Sequence, residues 1–493
     1  MRRYAGPGRT SFMTLTLSVP LLSALAGCGG TGAEGPASAA PPPPPPRAAK
    51  TENPTPAGGV AREVAGDKPS GKTEGEVVEP VRKVDPKKAV DVVKGDIAGG
   101  EAASPGTPEE MLWQTPDPKS VKDEPYTVTV PKGLPSLVPF VPASNPLTKG
   151  RVELGKQLYF DQRISLNATV SCATCHDPEK GWTDNLKTSV GIDGQVGGRN
   201  APTVLNTVYG KSMFWDGRAP SLEGQSQGPP QNPIEMGKQS YADIIKRLRT
   251  ISGYREQFQK VFGTEVTLDG VAKAIAAFER VAALSGNSAY DRYNRGELTA
   301  MTDSQKRGLI LFGLRLNQDD EFKTDVKLKK ADCTSCHAGF NFTDEQFHNL
   351  GIGWNDKEGK FADLGRLIID PVGSKNPANL GSFKTPTVRD AARTAPYMHD
   401  GGLRTLKEVV EHYNKGGNPN PALDKDIKKL NLTSQEVDDV VEFMKALNGE
   451  PIKVALPKLP AGPDGKSPNP ADALATPAPR AAWNEVVHPL RVR

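Results

Sequence analysis

Along the middle of the chain, apolar residues recur at helical rather than strand spacing. Over 150–160, Leu154 and Leu158 share one face, and over 271–284 so do Val271, Ile275, Phe278 and Ala282. A second pair of segments repeats the plan. Asp303 can cap a helix carrying Leu309, Phe312 and Gly313, and Ser434 can cap one carrying Val437, Val440, Val441, Met444 and Leu447. No convincing strand alternation accompanies them. The pattern predicts a mainly α protein made of two loose copies of one unit: an amphipathic helix, a cysteine motif, a long glycine-rich loop region and a closing helix. The copies match in the order of their parts more than in their letters. Their expected extents are 136–300 and 301–452.

The flanks read differently. The hexaproline from Pro41 to Pro46, scattered charges and few aromatics leave 28–135 too little apolar surface to offset ordering, so it is expected to be a disordered tether. Similar composition makes 453–493 an expected flexible tail. At the N-terminus, Arg2, Arg3 and Arg9 precede an apolar run from Leu15 to Leu25 that is short for a membrane span and reads as an export signal over 1–27. The run ends in Leu25-Ala26-Gly27-Cys28, which resembles a bacterial lipobox. Lipidation of Cys28 would hold a periplasmic protein on a membrane, by the same resemblance the outer one, since no aspartate follows. An ordinary cleaved signal with an incidental cysteine is the alternative.

The formal charge of +4 comes from near-equal acids and bases without a basic block, which gives no reason to expect nucleic acid as a partner. The five cysteines say more. Apart from Cys28 they form Cys172-x-x-Cys175-His176 and Cys333-x-x-Cys336-His337. In such a motif two thiols on one turn can form thioethers to the haem vinyls while the adjoining imidazole reaches the iron. Two thiolates and an imidazole also suit zinc, but these motifs lie too far apart for a ribbon built from local sequence. The expected fold is therefore two cytochrome c-like haem domains in tandem, with two covalently bound haem c groups.

Between the motifs stand Arg199-Asn200-Ala201-Pro202-Thr203-Val204-Leu205-Asn206, Phe214-Trp215-Asp216-Gly217-Arg218-Ala219 and Gly228-Pro229-Pro230-Gln231-Asn232-Pro233-Ile234-Glu235-Met236. After the second come Phe383-Lys384-Thr385-Pro386-Thr387-Val388-Arg389 and Ala395-Pro396-Tyr397-Met398-His399-Asp400-Gly401. Together these resemble the bacterial di-haem cytochrome c peroxidase family, which includes the MauG-type oxidases, over roughly 147–449. The resemblance implies a peroxidatic first haem and an electron-entry second haem. It makes Glu235 the distal carboxylate that moves the peroxide proton, Gln225 the amide that positions the peroxide, and Trp215 the indole between the haems. Without the motif, Trp215 would read as a buried aromatic. Asn200, Thr394 and Pro396 match a calcium site of amide and carbonyl oxygens. His399 is expected beside the second haem rather than on its iron. His348, His412 and His488 read as ordinary surface or core histidines.

Two positions depart from the family pattern. Ile192 aligns with a loop histidine that caps the first haem in many of these peroxidases, so an open sixth position at rest is expected. Tyr413 aligns with the methionine that ligates the second haem; tyrosinate favours ferric iron, and the MauG branch uses tyrosine there. Tyr413 as a packed aromatic and Met398 as the ligand remain the alternatives. The resemblance implies a peroxidase that reduces hydrogen peroxide with electrons from a small periplasmic cytochrome c or cupredoxin. The rival reading is a MauG-like oxidase acting on a partner protein by long-range electron transfer, and a non-catalytic electron carrier is a third. A homodimer is left open.

Overall fold

The computed structural model describes residues 121–370 and 376–477, all within the unit that begins at Arg82. The signal, Cys28, the proline run and His488 lie outside the described residues. In chain order the helices are α1 (Lys149–Phe160), α2 (Cys172–Cys175), α3 (Leu222–Gln225), α4 (Tyr241–Arg249), α5 (Ser252–Phe262), α6 (Leu268–Ala282), α7 (Ala289–Asn294), α8 (Asp303–Phe312), α9 (Leu406–Asn414) and α10 (Ser434–Ala446). Strands are limited to antiparallel pairs of two residues. Ser285–Gly286 pairs with Glu450–Pro451, Phe347–His348 with Phe383–Lys384, and Trp354–Asn355 with Lys360–Phe361. None of the described helices is long and apolar enough to cross a membrane.

Two helix crossings organise the molecule, and both are made close by a glycine. In α1, a Cβ on Gly155 would overlap the Ala274 carbonyl oxygen of α6 and press on Phe278. In α8, a Cβ on Gly308 would overlap the Asp439 carbonyl oxygen of α10 and press on Phe443. Each crossing seats an aromatic cluster. Tyr159, Phe160, Trp182 and Phe278 pack edge-on in the first core, and Tyr290, Phe312, Phe342 and Phe443 in the second. Burying each such ring is worth about 1.5–3 kcal/mol, which makes these clusters the main attraction between the paired helices. Tyr293 of α7 already belongs to the second core, while Ala283 belongs to the first.

Several boundaries differ from the sequence expectations for local reasons. The caps of α8 and α10 are Thr302 and Thr433, one residue before the expected Asp303 and Ser434. Each threonine takes the amide of Gln305 or Glu436, whose side chain returns a bond to the cap amide. Gly313 ends α8 rather than extending it, with φ at 120°. The closing helix of the first unit starts earlier than expected, at Leu268 behind the Thr267 cap.

The flanks pack more than their composition suggested. The expected tether does not reach 135: Tyr126 N–H donates to Leu147 O, Lys149 N–H to Glu124 O, and Tyr209 Oη to Pro135 O. Nor is the expected tail loose over 453–477. Leu459 and Ala473 are buried, Arg163 donates to Pro460 O, and Thr174 Oγ1 donates to Ala473 O at 2.8 Å. A few well-spaced apolar residues and backbone carbonyls suffice to strap this segment onto the first core.

Candidate functional site

The turn Cys172–Cys175 is a single capped helical turn: Ser171 and Thr174 exchange bonds across its start. His176 follows immediately. Its Nδ1 faces the Trp182 carbonyl at 3.2 Å, and Tyr159 Oη donates to its own carbonyl at 2.8 Å. The carbonyl fixes the tautomer with the proton on Nδ1, which leaves Nε2 with the lone pair a metal needs. Burial lowers the imidazole's pKa and so favours that neutral form.

The second turn is a tighter 3-10 turn entered through Asp332 at φ 46°, but it holds its histidine in the same way. His337 Nδ1 faces the Phe342 carbonyl at 3.0 Å, and burial again depresses the ring. Trp182 and Phe342 both hold positive φ, at 61° and 52°, to aim those carbonyls inward. Behind them, Thr203 Oγ1 donates to Gly181 O and Thr387 Oγ1 to Asn341 O, each at 2.7 Å. These threonines belong to Pro202-Thr203-Val204-Leu205-Asn206 and Pro386-Thr387-Val388-Arg389-Asp390, whose last residues both lie near φ 60°. The two copies thus do share letters, in a five-residue motif that the order of the parts concealed.

Facing Cys172 and Cys175 is the loop that carries Glu235. Burial comes first in pushing the Cys175 thiol up to about 12, followed by the charges of Asp184 and Glu235. Asn232 Nδ2 donates to Glu235 Oε1 at 2.7 Å. Ile192 is buried in the first core, and its N–H donates to Glu235 O at 2.9 Å. Gly191 lies so close to Ile234 O and the Glu235 backbone that a Cβ would overlap them. An aliphatic side chain is therefore locked to the Glu235 loop. Gln225 ends α3, half-buried, at the close of a turn capped by Ser221.

Around the second turn lies a cavity of about 580 Å³ whose wall includes Cys333, Cys336, His337, Met398, His399 and Tyr413. Its size is in the range of cofactor pockets, and its two thiols with the adjoining His337 imidazole are the attachment set of a haem c. Burial, then Cys333 and Cys336, raises the Tyr413 pKa. Tyr413 and Met398 thus both line the cavity that holds His337. His412, expected to be ordinary, is buried and anchors α9 through a 3.0 Å bond to Leu350 O. His348 is less ordinary than expected. It lines the cavity, with Nδ1 2.6 Å from Asp424 and Nε2 3.0 Å from Asp344. Cys336, Asp344 and His348 lie within metal-binding reach of one another, but a thioether at Cys336 would remove the soft ligand.

Between the two turns, Asn200 is the junction. Trp215 Nε1 donates to Asn200 O at 2.9 Å, Asn200 N–H donates to His399 O at 2.8 Å, and Asn200 Nδ2 donates to Leu186 O. The side-chain nitrogen being committed, Oδ1 is the atom left for a cation. Asn200, Thr394, Pro396 and Trp215 all border the second cavity. His399 is stacked on Phe383 at 3.5 Å, with Arg199 over the same ring, and burial pushes its pKa down to about 4. Arg199 grips Asp363 with two bonds and Asp216 with a third. Neither this stack nor the carbonyls of Trp182 and Phe342 was read from the sequence. The five-residue repeat would have located the second pair.

The family model for di-haem cytochrome c peroxidases matches residues 149–299. A methylamine utilization protein MauG from Methylorubrum extorquens is 39% identical over 328 residues, covering 66% of this chain and 86% of the relative. A cytochrome c551 peroxidase from Nitrosomonas europaea is 36% identical, covering 65% of this chain and 86% of the relative. A crystal structure of a MauG-like protein associated with microbial copper homeostasis superposes with a TM-score of 0.57 at 31% identity, covering 66% of this chain and 96% of that one. With two haem-attachment turns of matching geometry, and relatives covered over most of their length, the chain is a haem-dependent oxidoreductase belonging to the bacterial di-haem cytochrome c peroxidase and MauG family.

Proposed function

We propose that this protein is a MauG-like oxidase that reduces hydrogen peroxide beside His176 and takes the two electrons from a residue of a partner protein. The observation that carries this reading is Tyr413, half-buried in the wall of the second cavity with Cys333, Cys336 and His337. The relative of 39% identity is itself named a MauG. Each turnover consumes one peroxide, two electrons and two protons and yields two waters; the partner residue loses the electrons and the protons. When bound, the two haems supply the reduction of peroxide and the relay of electrons.

The remaining work falls to side chains. Cys172, Cys175 and His176 would hold one haem, and Cys333, Cys336 and His337 the other. Glu235 takes the proton from one peroxide oxygen and returns it to the departing oxygen. Asn232 aims that carboxylate through its 2.7 Å bond. Gln225 positions the peroxide. Ile192 keeps the loop beside Glu235 apolar and offers no imidazole to block the peroxide's place. Trp215, tied to Asn200, provides an oxidisable ring between the two sites. Asn200, Thr394 and Pro396 would hold a calcium ion that fixes this junction. The enzyme works in the periplasm, held at the outer membrane by a lipid on Cys28.

Replacing Tyr413 with phenylalanine tests the proposal. The expected result is a changed spectrum and a raised potential of the low-spin haem, with oxidation of the partner lost while peroxide still reacts at the first site. An unchanged spectrum and potential would remove Tyr413 as a ligand. A peroxidase fed by a small cytochrome c or cupredoxin is the second reading, favoured by Met398, which lines the same wall. Steady-state peroxide consumption with a reduced cupredoxin, beside a scan for oxidised partner proteins, separates the two.

A further inference from the structure

The proposed electron path leaves His348 without a role, although two carboxylates hold it at the cavity wall. Its Nδ1 faces Asp424 Oδ2 at 2.6 Å and its Nε2 faces Asp344 Oδ2 at 3.0 Å. An ionised carboxylate only accepts, so a ring bonded to two of them must donate from both nitrogens, which only the imidazolium does. Burial works against ionising the two acids, yet the Gln346 amide and His348 hold Asp344 below its ordinary value, and the Asp426 amide and His348 do the same for Asp424. The trio is therefore a cation between two anions.

Backbone pairing fixes its place. Phe347–His348 pairs with Phe383–Lys384, and Asp424 N–H donates to Asn349 O, next to His348. The other oxygen of each acid is also taken, Asp344 Oδ1 by Gln346 N–H and Asp424 Oδ1 by Asp426 N–H, both at 2.9 Å. His348 borders the second cavity, whereas neither acid does. A ring nitrogen of His348, an Asp344 oxygen and Cys336 Sγ lie within 4.8 Å of one another. The positive member of the trio thus faces the space beside the second attachment turn, with Asp344 at its flank and Asp424 behind it.

We propose that His348 is a positioning residue of the second site, an imidazolium that fixes a positive charge beside Cys336 and so raises the potential of the haem held there. The inference rests on the proposed attachment of a haem at Cys333, Cys336 and His337, and not on the choice of partner. A cation at this range attracts the added electron and favours the reduced iron, which opposes the pull of a tyrosinate at Tyr413 towards the ferric state. Its two acids keep the ring charged and aimed, as groups behind a site commonly orient the groups that face it.

The test is a spectroelectrochemical titration of the full holoprotein, followed at the low-spin haem. His348→Gln removes the charge and should lower that potential, shifting the one-electron reduction equilibrium at least about tenfold, or about 59 mV. His348→Lys restores a cation and should recover most of the loss. Asp424→Asn removes a negative charge while Asp344 still holds the ring, and should move the potential upward. A role confined to packing predicts the same sign for His348→Gln and Asp424→Asn, and no recovery in His348→Lys. An unchanged potential in His348→Gln, or a fall in all three variants, would overturn the proposal. Should His348→Gln take up no second haem, a raised value in Asp424→Asn with a near-parental one in His348→Lys supports the charge, and a fall in either overturns it. The expected shifts in a protein that oxidises no partner would instead sink the oxidase reading and leave the charge standing.

Discussion

His176 and His337 are held by the same bond, a ring nitrogen against the carbonyl of an aromatic residue at positive φ, with a threonine behind it. What faces them is different. His176 has a carboxylate loop, Glu235 locked to Ile192, whereas His337 has a phenol, Tyr413, on a helix. The turns Met213 to Ala219 and Tyr397 to Leu403 make the same point: each closes with an N–H to carbonyl bond, 2.8 and 2.7 Å, yet one presents Trp215 and the other His399. Duplicated backbone geometry sets where a haem can be attached. On the proposed reading, single side chains on the opposite wall set what each site does.

The largest expected effect breaks this contrast at the first wall. Glu235→Gln should lower peroxide turnover about 10²–10³-fold, the usual worth of a placed proton carrier, with haem content unchanged. Turnover within twofold of the parent would mean that the carboxylate is not what distinguishes the site.

The next tests the shared frame. Adding a single methyl at either crossing, Gly155→Ala or Gly308→Ala, should cost about 2–3 kcal/mol through overpacking, outweighing the roughly 1 kcal/mol that alanine gains as a helix former. Hydrogen exchange should localise each loss to its own core, α1 and α6 in one case and α8 and α10 in the other. Loss in both cores from one substitution would show that they do not open independently.

The smallest effect concerns a group with no counterpart in the second core. Glu279 of α6 is buried with Oε2 unpartnered, because the adjacent Arg280 turns to Glu223 instead. Burial, with Glu223 adding to it and Arg280 opposing, raises its carboxyl from 4.5 to about 8. The folded state then holds a proton that the unfolded chain releases, so stability should decline as pH rises from about 4.5 to about 8. Thermal unfolding of Glu279→Gln should lack that decline, and identical pH profiles for parent and variant would refute the assignment.

What the sequence revealed was whatever repeats locally. The faces of Leu154 and Leu158, of Ile275 and Phe278, and of Val440 and Met444 all turned inward, and both cysteine motifs fell on short turns. Caps were misjudged by one position because threonine precedes aspartate in one case and serine in the other. The strap over 453–477 was hidden by its low apolar density, since its hold depends on Leu459, Ala473 and carbonyls meeting distant partners. Likewise, nothing near Arg199 or Phe383 in the chain announces their stack with His399. That arrangement exists only once both units are folded.

The strap has a bearing on how the protein is made. Thr174, inside the first attachment turn, is sealed by a bond to Ala473, 299 residues further along. A growing chain presents Cys172 and Cys175 long before that cover exists, and presents Cys333 and Cys336 before it as well. Both thiol pairs therefore emerge from synthesis before the segment that packs on the first turn.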